Sequence, residues 1–185
     1  MDFPTKKYTV IYVDPPWQYR DKAASGKRGA VFKYPCMSDD DIKSLPVGSI
    51  SEKDSILFLW TTFPKIQEGL DTITAWGFTY KTIAFNWVKR NKVSDSFFWG
   101  MGRWTRSNSE ICLLGTRGKP KRQSMKVHSV IYSPIREHSR KPDETRDRIM
   151  ELTGDVSRVE LFARQPTDGW DIWGNDTELF SDHKT

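Results

Sequence analysis

The sequence predicts an α/β fold: a mostly parallel sheet covered by helices on both faces. Runs of β-branched and aromatic residues recur at Tyr8–Val13 (YTVIYV), 56–60 (ILFLW) and 159–162 (VELF). Such near-continuous apolar runs suit strands buried on both faces. Between them lie segments with helix start and stop signals, and strands alternating with helices imply parallel pairing. With 37% hydrophobic residues, 13% aromatic residues and eight Trp, the chain has the material for one well-buried core.

The first strand ends at Asp14-Pro15-Pro16-Trp17, where two prolines forbid continued ladder pairing. Residues 18–35 form a Gly-, Ser- and Lys-rich loop. Ser38 is placed to cap a short helix over 39–45, whose acidic first turn suits the helix dipole. After the strand at 56–60, Pro64 suits the first turn of a helix that runs to about Ala75 and stops before Gly77. Residues 78–88 are strand-like. Residues 90–106 have no clean period and read as a long loop, a kind of segment that in compact domains often carries function. Residues 110–114 predict another strand and 130–132 a weaker one. Pro142 can start a helix through Leu152, closed by Gly154, before the strong strand at 159–162. No repeat, low-complexity tract or linker divides the chain, so a single domain over 1–185 is expected.

Composition narrows the classes of function. The net charge of +5 favours a polyanionic partner without proving one. Its cations cluster at Lys22, Lys27, Arg28 and Lys33, at Arg117, Lys119, Lys121, Arg122 and Lys126, and around Arg136, Arg140 and Lys141. Each cluster alone reads more readily as a solvated loop than as a binding surface. No apolar run approaches the ~20 residues that cross a bilayer. The opening MDFPTKKYTVIYV lacks the residue order of a signal peptide, so a cytoplasmic location is expected. Cys36 and Cys112 are too few for a disulfide framework, and with His128, His138 and His183 scattered no metal site is expected.

Chemistry concentrates at Asp14-Pro15-Pro16-Trp17. In open α/β sheets, ligands bind beyond the carboxyl ends of strands, where this turn falls. Two prolines stiffen it, so that a backbone carbonyl and the Asp14 side chain can point the same way. Both are acceptors, matching the two hydrogens of an amino group. Trp17 offers a flat face on which a base could stack. Adenine's exocyclic amine is a poor nucleophile because its lone pair is delocalised into the ring. Accepting both of its N–H groups favours a tetrahedral nitrogen with a usable lone pair. A carboxylate can receive the proton after transfer, once the amine has become acidic. Taken alone, the four residues read as well as a turn before a buried Trp.

The motif and its surroundings resemble the adenine methyltransferase family that includes the catalytic subunit of the eukaryotic messenger-RNA adenosine methyltransferase, together with bacterial and phage DNA-methylating relatives. The likeness runs from about Lys7 to Leu179. It is carried by DPPW, YPCMSDDDIKSL from Tyr34, ILFLW, AWGF from Ala75, NWVK from Asn86, HSRKPDE from His138, ELFAR from Glu160 and WDIWGND from Trp170. The resemblance implies a Rossmann-like, S-adenosylmethionine-dependent fold with permuted motifs, the catalytic DPPW preceding the cofactor strand. Gly100-Met101-Gly102 is a poor substitute for a Gly-rich loop, lacking the third glycine and a following helix.

By the same resemblance, Asp14, Pro15, Pro16 and Trp17 form the catalytic turn, with Asp14 also near the cofactor. Lys141 approaches both cofactor and target adenine. Glu160, Phe162 and Arg164 line the cofactor pocket, Asn175 and Asp176 contact the cofactor's ribose or adenine side, and Tyr34 matches a gate-loop aromatic near the target base. Core packing is the alternative for Phe162 and Tyr34, and a surface ion pair for Lys141 and Arg164. Where the family commonly has Gly before the pocket arginine, this chain has Ala163. The segment between Arg164 and Trp170 is shorter than in the eukaryotic relative.

Phe97, Phe98, Trp99 and Trp104 interleave with Arg103 and Arg106, a composition able to grip phosphate, stack on bases or fill the gap left by an extruded adenine. An aromatic lid over the core or a subunit interface fits the same residues. Adenine in DNA is the expected substrate. RNA adenosine and a catalytically silent nucleic-acid-binding subunit are the alternatives. One modest basic surface would gain grip from a second copy, which favours a homodimer.

Overall fold

The computed structural model describes residues 2–19, 36–102, 104–137, 139–175 and 177. Its elements follow in the order β1 (Tyr8–Val13), α1 (Asp39–Ser44), β2 (Ser51–Thr61), α2 (Ile66–Ala75), β3 (Thr79–Arg90), β4 (Ser109–Arg117), β5 (Val130–Pro134), α3 (Glu144–Thr153), β6 (Arg158–Leu161) and β7 (Asp171–Trp173). They build one seven-stranded sheet of order β5-β3-β4-β2-β1-β6-β7. β4 runs antiparallel to both β2 and β3, and every other pairing is parallel. The sheet is therefore mostly parallel, as expected.

β1 sits between β2 and β6, which explains its unbroken apolar run. Ile11 and Val13 face a core cluster shared with Leu57, Leu59, Val159 and Leu161, onto which α1 and α2 bring Ile42 and Ile73. Val10 and Tyr12 face the other cluster, with Phe58, Trp60 and Ile149 of α3. Helices thus cover both faces. Each fully buried aliphatic side chain contributes roughly 2 kcal/mol of transfer free energy.

Caps and ion pairs fix the helices beside this sheet. Ser38 Oγ accepts the Asp41 N–H at 3.1 Å, as its position before three Asp residues predicted. Buried Lys65 places its ammonium 2.7 Å from Asp39 and 3.2 Å from Glu68, joining α1 to α2. Beyond Arg90, where β3 ends, the long loop expected at 90–106 holds no helix or strand among its described residues, and isolated antiparallel bridges at Arg90↔Phe97 and Gly100↔Ser107 fold it back as a hairpin. One element was not expected. β7 has no counterpart in the predicted elements, because three residues at a sheet edge are too short to show a period.

Direction decides where the site forms. Val13 pairs with Leu59 on one side and Leu161 on the other, so the turn after β1 lies between the carboxyl ends of β2 and β6. Because β4 is reversed, its start also lies at this edge, with Thr61 opposite Ile111. The hairpin at 91–108 rises from the same edge.

Candidate active site

The two prolines turn the chain sharply out of β1, and backbone bonds pin the turn. The Trp17 N–H donates to the Pro15 carbonyl at 2.8 Å and the Met37 N–H to the Pro16 carbonyl at 3.0 Å. Each carbonyl keeps a second lone pair. Trp17 departs from expectation. Its ring is only 4% exposed, packs in the core, and donates its N–H to the Trp60 carbonyl at 3.0 Å. The open stacking face expected there is absent, and the indole braces the turn instead.

Asp14 is the outer end of a chain of alternating charges. Lys141 Nζ lies 2.8 Å from Asp14 Oδ2 and 3.2 Å from Glu110 Oε2, and Lys89 Nζ lies 2.5 Å from Glu110 Oε1. Lys141 is nine-tenths buried, with its ammonium 5.7 Å from the centre of the Trp60 ring. Trp60 in turn donates its ring N–H to the Tyr12 hydroxyl at 2.7 Å. Burial alone would lower the Lys141 pKa, but the carboxylates of Asp14 and Glu110 raise it. Burial would raise Glu110; Lys141 and Lys89 together bring it down to about 2. Both groups therefore stay charged at neutral pH. Among the described residues, the hydrogen bond to Asp14 falls on Oδ2, leaving Oδ1 to accept from a ligand.

A second ion pair backs the cleft. Glu160 of β6 receives Arg146 Nε and Nη2 at 2.7 Å each, a bidentate pair buried on both sides. Burial raises the Glu160 pKa despite the guanidinium. Tyr12, Asp14, Lys141, Glu160, Phe162 and Arg164 all line one cleft. Two non-glycine residues flank it in the left-handed region, Ser139 at φ 63° and Phe162 at φ 59°. Each such conformation costs roughly 1–2 kcal/mol, and such strain concentrates at functional sites. The turn at Phe162 is held by packing. Its ring meets Trp173 edge-on at 5.4 Å, and the Ala163 N–H donates to the Trp173 carbonyl at 3.0 Å.

The fold thus brings together five of the residues singled out in the sequence: Asp14, Lys141, Glu160, Phe162 and Arg164. The surface ion pair considered for Lys141 is instead a buried one. Asn175 is exposed just beyond β7 and does not line the cleft. Trp104, 95% exposed, and Arg106 lie out on the hairpin, where they close over no core. Tyr34, Arg103 and Asp176 lie outside the described residues. Glu110, Lys89, Arg146 and Tyr12 complete the site and were not anticipated. The one hint in the sequence is a charged residue embedded at each end of an apolar strand, in NWVK and in SEICLL.

Comparison with known proteins agrees with this geometry. Residues 8–176 match the MT-A70 protein family. The chain is 35% identical over 189 residues to the type II methyltransferase M.MunI of Mycoplasma sp, covering 92% of this chain and 78% of that one. It is 31% identical to an N(6)-adenosine-methyltransferase MT-A70-like protein of Arabidopsis thaliana, covering 91% of this chain and 23% of that protein. The human N(6)-adenosine-methyltransferase catalytic subunit METTL3 is 29% identical over 91% of this chain, which spans 28% of its length. A cleft at the carboxyl edge of a mostly parallel sheet, with DPPW and ELFAR on adjacent strands, is what a match over nearly the whole chain entails: the chain belongs to the MT-A70 family and has its methyltransferase fold.

Proposed function

We propose that the protein transfers a methyl group from S-adenosylmethionine to the exocyclic amine of adenine in DNA. The observation that carries this reading is Asp14, fixed by Lys141 through one oxygen at the mouth of a cleft of mixed charge, with its other oxygen left to accept. The donor set suits the cofactor. Carboxylates at Asp14 and Glu160 and cations at Lys141 and Arg164 line one cleft, matching a ligand that carries an amine, a carboxylate, a sulfonium and a ribose diol.

Asp14 Oδ1 and a prolyl carbonyl offer acceptors to the two N–H groups of the target amine, which localises its lone pair. Lys141 holds the Asp14 carboxylate in place, so orientation is fixed before the target arrives. When bound, the cofactor supplies an electrophilic methyl whose carbon–sulfur bond breaks, leaving a neutral thioether as the nitrogen–carbon bond forms. The nitrogen then carries a surplus proton, and Asp14 is the group placed to receive it.

The DNA reading is supported by the chain's coverage of most of M.MunI, a type II methyltransferase. RNA adenosine is the second reading, favoured by the names of the eukaryotic relatives, of which the chain spans about a quarter. The intact Asp14–Lys141 pair speaks against a silent subunit. The test is transfer of labelled methyl to duplex DNA, single-stranded DNA and RNA, followed by nucleoside analysis. Methyladenine in DNA is expected, and Asp14→Ala should abolish it while keeping the fold. Undiminished turnover in that variant would overturn the mechanism, and label in RNA alone would change the substrate.

A further inference from the structure

The hairpin at 91–108 stands beside the cleft, and its outer face is aromatic. Phe97 lies 5.8 Å from both Trp99 and Tyr132 of β5, and all three rings are exposed. Lys92 and Arg106 of the same segment are exposed as well. An aromatic surface on a segment that also carries cations matches the chemistry of a base and its phosphate. The foot of the hairpin is held by one side chain. Asn108 donates through Nδ2 to the Lys89 carbonyl at 3.2 Å and to the Phe98 carbonyl at 2.6 Å, tying both arms together. The Phe98 N–H donates to the Lys89 carbonyl at 2.9 Å, and the Lys89 N–H to the Asn108 carbonyl at 3.1 Å. Lys89 thus carries the hairpin on its backbone, while its ammonium enters the ion chain that ends at Asp14.

We propose that this hairpin is a nucleic-acid docking surface and that Asn108 is the positioning residue that fixes its posture relative to Asp14. The nature of the partner rests on the adenine methyltransferase reading. Without the Asn108 amide, both arms lose a shared donor and two carbonyls lose a partner, so the aromatic face should shift or fray.

The experiment measures binding of a labelled adenine-containing DNA duplex to the wild type, Asn108→Ala and Trp99→Ala, alongside hydrogen exchange and cofactor calorimetry. Both variants should lose about tenfold in duplex affinity, the scale of one base–aromatic contact. Exchange at the Phe98 and Gly100 amides should quicken in Asn108→Ala, cofactor affinity should stay unchanged, and the loss in methyl transfer should appear in KM for DNA rather than kcat. Unchanged duplex affinity in Asn108→Ala, or unchanged exchange, would overturn the role of Asn108. Trp99 is exposed and its replacement spares the fold, so wild-type affinity in Trp99→Ala would overturn the docking surface by itself. A wild type that binds duplex but transfers no methyl would sink the methyltransferase reading and leave this proposal standing. Methyl transfer with wild-type affinity in both variants would do the reverse.

Discussion

Lys141 and Glu110 can stay charged inside the protein only because each has a partner on two sides. Removing one carboxylate leaves two ammonium groups without their shared counterion, and breaking a buried pair typically costs about 3–5 kcal/mol. Glu110→Gln should therefore destabilise the protein by about 3 kcal/mol in denaturant melts at neutral pH. The sign with pH follows from the depressed pKa of Glu110. Its folded value of about 2 lies below the ordinary 4.5, so its stabilisation is complete above about pH 5 and is lost as pH falls toward 2. The gap between wild type and Glu110→Gln should shrink over that window. A gap that stays constant would show that Glu110 acts by shape rather than charge. Arg146→Met belongs at the same scale. It strands the buried Glu160 carboxylate, and the expected cost is again about 3–5 kcal/mol by thermal melting.

At the scale of elements, the critical junction is the one between β6 and β7. Phe162 turns out of β6 in the left-handed region, and the following chain must pass very close to Gly174. A Cβ at Gly174 would lie 2.8 Å from the Ala163 carbonyl oxygen and 3.0 Å from its nitrogen, both backbone atoms with little freedom to give. Gly174→Ala should cost about 2 kcal/mol and disturb the strand end that carries Phe162 and Arg164. Thermal melting and cofactor calorimetry would read the two effects, and a variant with wild-type values in both would show that the junction can relax. The same packing accommodates Ala163, which is 1% exposed. Its side chain is taken up by the core, and its backbone N–H still reaches β7.

Across the whole molecule, the described residues proposed for the site gather at one edge of the sheet, where the carboxyl ends of β1, β2, β3 and β6 meet the start of reversed β4. The net charge of +5 adds an attraction for polyanions that carries no sequence information. Duplex affinity should fall with salt. Lys92 and Arg106 alone would give a slope of about −2 in log affinity against log salt concentration. A flat titration would show that phosphate contacts contribute nothing. Among the described residues, no helix is long and apolar enough to cross a membrane.

The sequence by itself determined the strands whose apolar runs are long, the cap at Ser38, and the turn at Asp14, because these depend on local rules of period, proline geometry and side-chain hydrogen bonding. It also marked Lys141, Glu160 and Arg164 through motifs whose order survives over nearly the whole chain. The tertiary structure alone decided the rest. Strand direction has no sequence period, so the reversal of β4, which brings Glu110 and the aromatic hairpin to the edge that carries Asp14, was not legible. Neither was the fate of Trp17, since a turn before an exposed Trp and a turn before a packed one are written identically. Charge partners such as Glu110 with Lys141, or Arg146 with Glu160, join residues of different elements. A lone charge in an apolar strand does not say what will neutralise it until the chain has folded and water has been excluded.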